Sequence, residues 1–84
     1  MGKAPRVPRG QPDPRLGAVV RQAREDAQQS QQAVAYRAGL SMSTYTRFEL
    51  GQSDASWSTV IRVCDALPLS LVELGRRIEA ENRG

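Results

Sequence analysis

Several residue types are absent from this chain or rare in it. Its 84 residues include no histidine and one cysteine, Cys64, so an intramolecular disulfide cannot form. No pair of cysteines, glycine-rich phosphate loop or cluster of metal-ligating residues is evident, and we therefore expect neither an enzyme nor a cofactor. The longest apolar runs are too short for a transmembrane helix or a signal peptide. The composition predicts a small cytoplasmic domain.

The positive charge of the chain is concentrated at its N-terminus. Residues 1–15 carry four basic residues against one acidic residue, whereas residues 16–84 carry eight of each sign. Residues 1–12 also contain three prolines and two glycines, which predicts a flexible basic arm. Through Lys3, Arg6 and Arg9 this arm could follow phosphates or enter a minor groove, or it could be a plain tail.

The remaining sequence predicts five short helices, an all-α class and one compact domain over residues 13–80, before a frayed tail over residues 81–84. Helix starts are indicated by Asp13-Pro14 and by four serines, Ser30, Ser41, Ser56 and Ser70. Apolar residues at helical spacing predict the buried faces: Leu16, Val19, Val20, Ala23 and Ala27; then Trp57, Val60, Ile61, Cys64 and Leu67; then Leu71, Leu74 and Ile78. We also expect Tyr36 in or near the core.

Residues 31–50, QQAVAYRAGLSMSTYTRFEL, have the pattern of two helices joined by a tight turn. Gly39 stands where the first helix must end, because glycine adopts a positive φ without a Cβ clash. Ser41 is placed to cap the second helix, and the small Ala35 allows the two backbones to approach closely. A second helix held at a large angle to the first can enter a DNA major groove.

With these features placed, the chain resembles the XRE/Cro-like family of phage repressors and bacterial regulators over residues 16–74. The resemblance implies a lambda-repressor-like helix-turn-helix fold, with the second helix across the DNA backbone and the third in the major groove. It implies phosphate or backbone contacts from Gln31, Gln52 and Ser53, base contacts from Met42, Ser43 and Arg47, and contacts of either kind from Thr44 and Thr46. It also implies an ion pair between Arg24 and Glu49 that ties the first helix to the third.

Each implied contact has a simpler alternative. Arg47 could donate two hydrogen bonds to a guanine, or could be solvated or paired with a carboxylate. Met42 could contact a thymine methyl group or pack on Tyr45, and it is apolar where many relatives carry a hydrogen-bonding residue. The three hydroxyl residues could be ordinary surface positions. Tyr45, Phe48 and Pro68 also depart from the commoner residues of the family, and we expect no effect on the fold.

The resulting prediction is a sequence-specific transcriptional regulator, a repressor that binds a palindromic operator as a homodimer and lies on the nucleoid when bound. A neutral core makes a single domain a weak binder, whereas a dimer can engage two half-sites. Leu69, Val72 and Ile78 are the candidate dimer residues, and no small-molecule ligand or membrane contact is indicated. The alternative is a protein-interaction module, such as an antitoxin or adaptor, with incidental DNA binding.

Overall fold

The computed structural model describes residues 13–52 and 55–81, and within these ranges the chain forms five α-helices and no strand. The helices are α1 (Pro14–Asp26), α2 (Gln31–Ala38), α3 (Met42–Glu49), α4 (Trp57–Ala66) and α5 (Leu71–Glu81). The predicted all-α class is confirmed, and α5 continues through Glu81, slightly beyond its predicted end. The predicted DNA contacts of Lys3, Arg6, Arg9 and Ser53 fall outside the described residues.

The helices begin at the side chains that the sequence indicated. The Asp13 carboxylate accepts a hydrogen bond from the Arg15 backbone N–H at 2.9 Å, and Pro14 opens α1. A serine hydroxyl caps each later helix by accepting a hydrogen bond, 3.0 to 3.1 Å long, from the backbone N–H three residues further on. The capping serines are Ser30, Ser41, Ser56 and Ser70. These bonds satisfy N–H groups that have no partner inside the helix, which fixes where each helix starts.

The turn between α2 and α3 depends on Gly39, whose φ is +72°. Its N–H donates to the carbonyl of Tyr36 at 3.1 Å, and the N–H of Leu40 donates to the carbonyl of Ala35 at 2.9 Å. This paired arrangement closes the end of α2 and needs a left-handed residue, which glycine provides at little cost. The predicted helix-turn-helix is therefore confirmed.

One core joins all five helices. Helix α1 packs against α3 and α5, and α2 packs against α3 and α4. The most deeply buried side chains are Tyr45, Val20, Val34 and Val63. Cys64 is buried as predicted. No helix within residues 13–52 and 55–81 is both long and apolar enough to cross a bilayer.

The prediction of the core was wrong at several apolar positions. Tyr36 is 86% exposed, because it lies two residues from both Val34 and Ala38 and so points away from the buried face of α2. Trp57 is 66% exposed, because it is the first residue of α4, at the margin of the core. Four other corrections are Ala27, Ile61 and Leu71, which are exposed, and Val63, which is buried but was not predicted.

Helices α1 and α3 meet at Gly17. A Cβ atom at this position would lie 2.3 Å from the carbonyl oxygen of Phe48 and 2.5 Å from that of Glu49. Only a residue without a side chain allows the backbone of α1 to come so close to the last turn of α3. Gly17 therefore fixes the distance between the first helix and the third.

Candidate nucleic-acid interface

Helix α3 has one buried face and one exposed face. Tyr45, Phe48 and Glu49 are buried, and the Tyr45 and Phe48 rings contact each other edge to face with centroids 6.3 Å apart. Met42, Ser43 and Arg47 are exposed. These are the three residues for which the family resemblance implies contacts with base edges. The structure brings them to one accessible side of the helix.

The two threonines of α3 occupy different surroundings. The Thr44 hydroxyl accepts a hydrogen bond from the Ser41 hydroxyl at 2.9 Å, so Thr44 contributes to the cap of its own helix. Thr46 is half-buried and lines a shallow depression together with Gln31 of α2. Thr44 and Thr46 are therefore both partly buried, whereas Ser43 is exposed.

A buried ion pair holds α3 against α1. The Arg24 Nε lies 2.7 Å from the Glu49 Oε2, and the Arg24 Nη2 donates to the Glu49 Oε1 at 3.2 Å. The side chains are only 12% and 2% exposed. Arg24 also donates to the backbone carbonyl of Gln29 at 2.9 Å. The pair that the family resemblance implied is present in the structure.

Electrostatics favour the charged form of Glu49. Burial acts to raise the pKa of this carboxyl group, but the hydrogen bonds from Arg24 and Gln31 outweigh burial and hold its pKa below the ordinary value. Burial also raises the pKa of the neighbouring Tyr45, whose phenol stays neutral. The last turn of α3 is thus built around a carboxylate that needs its partners, because an uncompensated buried charge is strongly destabilising.

Gln31 adds a third member to this network. Its side-chain Nε2 donates to the Glu49 Oε1 at 2.9 Å, which ties the start of α2 to the end of α3. Sequence reasoning did not identify this bond, since only the fold brings residues 31 and 49 together. A phosphate contact from Gln31 stays a prediction, and in this geometry its backbone N–H at the helix N-terminus suits that contact better than its amide.

Most arginines of the described chain have acidic partners. Those in ion pairs are Arg15, Arg21, Arg24, Arg76 and Arg77. Arg37 instead donates to the side-chain oxygen of Gln29. Within residues 13–52 and 55–81, Arg47 and Arg62 form neither an ion pair nor a side-chain hydrogen bond. Arg47 is therefore an accessible and uncompensated cation on α3.

One further residue that was predicted to contact DNA, Gln52, lies within the described chain. Gln52 is exposed just after α3, and its backbone N–H donates to the carbonyl of Arg47 at 2.9 Å. Gly51 precedes it with a φ of +70°, which turns the chain away from the helix. The Gln52 side chain is therefore accessible beside the end of α3, and its contact with DNA stays a prediction.

The candidate dimer residues have unequal exposure. Val72 is exposed and Ile78 is half-buried, but Leu69 lies in the core. The residue after Pro68 packs inward because the Leu69 N–H bonds to the carbonyl of Cys64 at 2.9 Å, at the end of α4. Leu69 is thus corrected from a surface residue to a core residue.

Comparison with known proteins agrees with this geometry. A family model described as a helix-turn-helix domain matches residues 15–78. The restriction-modification controller protein C.AhdI from Aeromonas hydrophila is similar at 28% identity and a TM-score of 0.70, with 73% of this chain and 92% of that chain covered. No curated protein has significant similarity to the chain.

Two other solved structures share the fold at lower identity. The clp gene regulator ClgR from C. glutamicum has 24% identity and a TM-score of 0.78, with 81% of this chain and 88% of that chain covered. The controller protein C.Esp1396I, solved as a tetramer with its natural 35 base-pair operator, has 15% identity and a TM-score of 0.80, with 84% of this chain and 93% of that chain covered.

The family match extends over most of the chain, and the structure has the turn, the helix caps and the exposed residues of the third helix that were predicted above. The protein belongs to the helix-turn-helix domain family. Within that family it is an XRE/Cro-like DNA-binding regulator.

Proposed function

We propose that the protein is a sequence-specific transcriptional repressor that binds a palindromic operator as a homodimer, with α3 in the major groove. The observation that carries the proposal is the exposed face of α3, where Arg47 is an uncompensated cation beside Met42 and Ser43. A guanidinium can donate two hydrogen bonds to guanine O6 and N7, worth about 1–3 kcal/mol of discrimination between bases. Met42 suits the methyl group of a thymine.

The buried side of α3 supports the same role. Gly17, the Arg24–Glu49 pair and the Gln31 amide all fix the helix from its inner face and leave the outer face accessible. A rigid helix with an open polar side is suited to reading base edges, because its side chains reach the groove without reorganising the core.

Exposed apolar side chains support assembly into a dimer. Among the described residues, four of the exposed large apolar side chains lie on α4 and α5: Trp57, Ile61, Leu71 and Val72. If these side chains form one contiguous patch, it would be suited to protein–protein contact. The similar fold of C.Esp1396I, which was solved as a tetramer with its operator, is consistent with an oligomer on DNA.

The test is selection from random duplex DNA with the wild type, Arg47→Ala and Arg62→Ala. Arg62 is the matched control, because it is also exposed and without an ion pair in the described chain but lies on α4. We expect a palindromic motif for the wild type and Arg62→Ala that loses guanine preference for Arg47→Ala. Absence of any enriched motif from folded wild type would reject the proposal and favour the protein-interaction alternative.

A further inference from the structure

A shallow polar depression lies between α1, α2 and α3, beside the exposed face of the third helix. It is lined by Arg21, Arg24, Gln31, Thr46, Glu49 and Leu50. Thr46 is itself one of the residues predicted to contact DNA, so we expect the depression to border the surface that would face DNA. A duplex whose major groove holds α3 carries a phosphate strand along each edge of that groove.

Two of the polar side chains in this depression already donate hydrogen bonds within the protein. Arg24 and Gln31 both donate to the buried carboxylate of Glu49, at 2.7 and 2.9 Å. Both side chains keep unused N–H groups, but moving either one toward a phosphate would weaken its bond to Glu49, and the loss of a partner is costly for a buried charge. The main role of these two side chains is therefore to hold α3 in position.

Arg21 is held much more weakly. Its side chain is 61% exposed, and its Nε donates to the Glu25 Oε2 at 3.2 Å along the same helix. An exposed pair of this kind contributes little, because water screens it and two long side chains lose freedom. A phosphate oxygen can replace the Glu25 carboxylate as the partner of Arg21, and no buried charge loses a partner in this exchange.

We infer that Arg21 is a DNA phosphate contact: it stands beside Gln31 and Thr46 in one depression and exchanges its surface partner Glu25 for a phosphodiester group of the bound duplex. The inference rests on the proposed function, since it requires α3 to occupy the groove. Glu25 then acts as a competitor that lowers affinity, and α1 supplies an electrostatic contact in addition to the base contacts of α3.

The test measures operator affinity against salt concentration for the wild type, Arg21→Ala and Arg76→Ala, with the motif selected above as the probe. Arg76 is a matched control, because it is 74% exposed and pairs with Glu73 one helical turn away on α5. Both substitutions remove one positive charge. We expect the slope of log K against log salt to become less negative by about 0.9 per subunit for Arg21→Ala alone.

A second pair of variants tests the competition. Glu25→Gln should tighten operator binding at low salt, whereas Glu73→Gln, which makes the same change of charge on α5, should not. An unchanged slope for folded Arg21→Ala, or Glu25→Gln that binds no more tightly than Glu73→Gln, overturns the inference. Wild type that selects no motif rejects the proposed function instead, so the two failures are distinguishable.

Discussion

Replacing Gly17 with alanine tests how α3 is held. The new Cβ atom would lie 2.3 and 2.5 Å from two backbone carbonyl oxygens of α3, which cannot rotate away as a flexible side chain could. Alanine has a helix propensity about 1 kcal/mol more favourable than that of glycine. Overpacking costs about 1–3 kcal/mol or more, and we expect a cost near the upper end of this range because the clash is with backbone atoms. We expect a net loss of about 2 kcal/mol in the free energy of unfolding.

The assay is thermal or urea unfolding followed by circular dichroism, with operator binding measured on the folded variant. A loss of this size lowers the Tm of a domain this small by about 8–16 °C. Gly75→Ala is the matched control: a Cβ atom there meets nothing within 4 Å, so it should stabilise α5 by about 0.5–1 kcal/mol. If Gly17→Ala were as stable as Gly75→Ala, α1 could not approach α3 as the structure has it.

Two further predictions concern the end of α1 and the buried carboxylate. Gln28 has a φ of +55°, which glycine adopts more easily than a residue with a side chain. Gln28→Gly should therefore raise the free energy of unfolding by about 0.5–1 kcal/mol, whereas Gln28→Ala should not. A lower Tm for the glycine variant would contradict this prediction. The pKa of Glu49 is below the ordinary 4.5. The stability that the charged Glu49 contributes to the fold is therefore fully present above pH 4.5 and is lost as the pH falls through the folded-state pKa. An NMR titration that places the Glu49 pKa at or above 4.5 would disprove that sign.

The local features of the fold could be predicted from the sequence. A capping serine and a turn glycine act on backbone groups within three or four residues, so Ser41 and Gly39 indicate their structures without knowledge of the fold. Arg24 and Glu49, by contrast, are far apart in the sequence, and only the family resemblance implied that they pair. The bond from Gln31 to Glu49 was not predicted, because it depends on how three helices meet.

Burial at the margin of the core was the least predictable feature. Trp57 continues the apolar spacing of α4, but no spacing reveals whether a neighbouring helix extends far enough to cover the first turn. Gly17 was also missed, although its signal was available: a glycine within a helical apolar pattern lowers helix stability, so a close backbone approach is a reason for its presence.

The two faces of α3 differ in what a substitution can change. Few substitutions are tolerated where the inner face packs. A side chain at Gly17 would clash with the backbone of α3, and Glu49 is a buried charge that needs the hydrogen bonds from Arg24 and Gln31. Its outer residues, Met42, Ser43 and Arg47, form no ion pair in the described chain and lie outside the core. If the proposed function is right, substitutions on the outer face should alter DNA preference at little cost in stability, because surface changes away from packed or paired groups usually shift stability by less than about 0.5 kcal/mol. Substitutions on the inner face should reduce stability and affinity together.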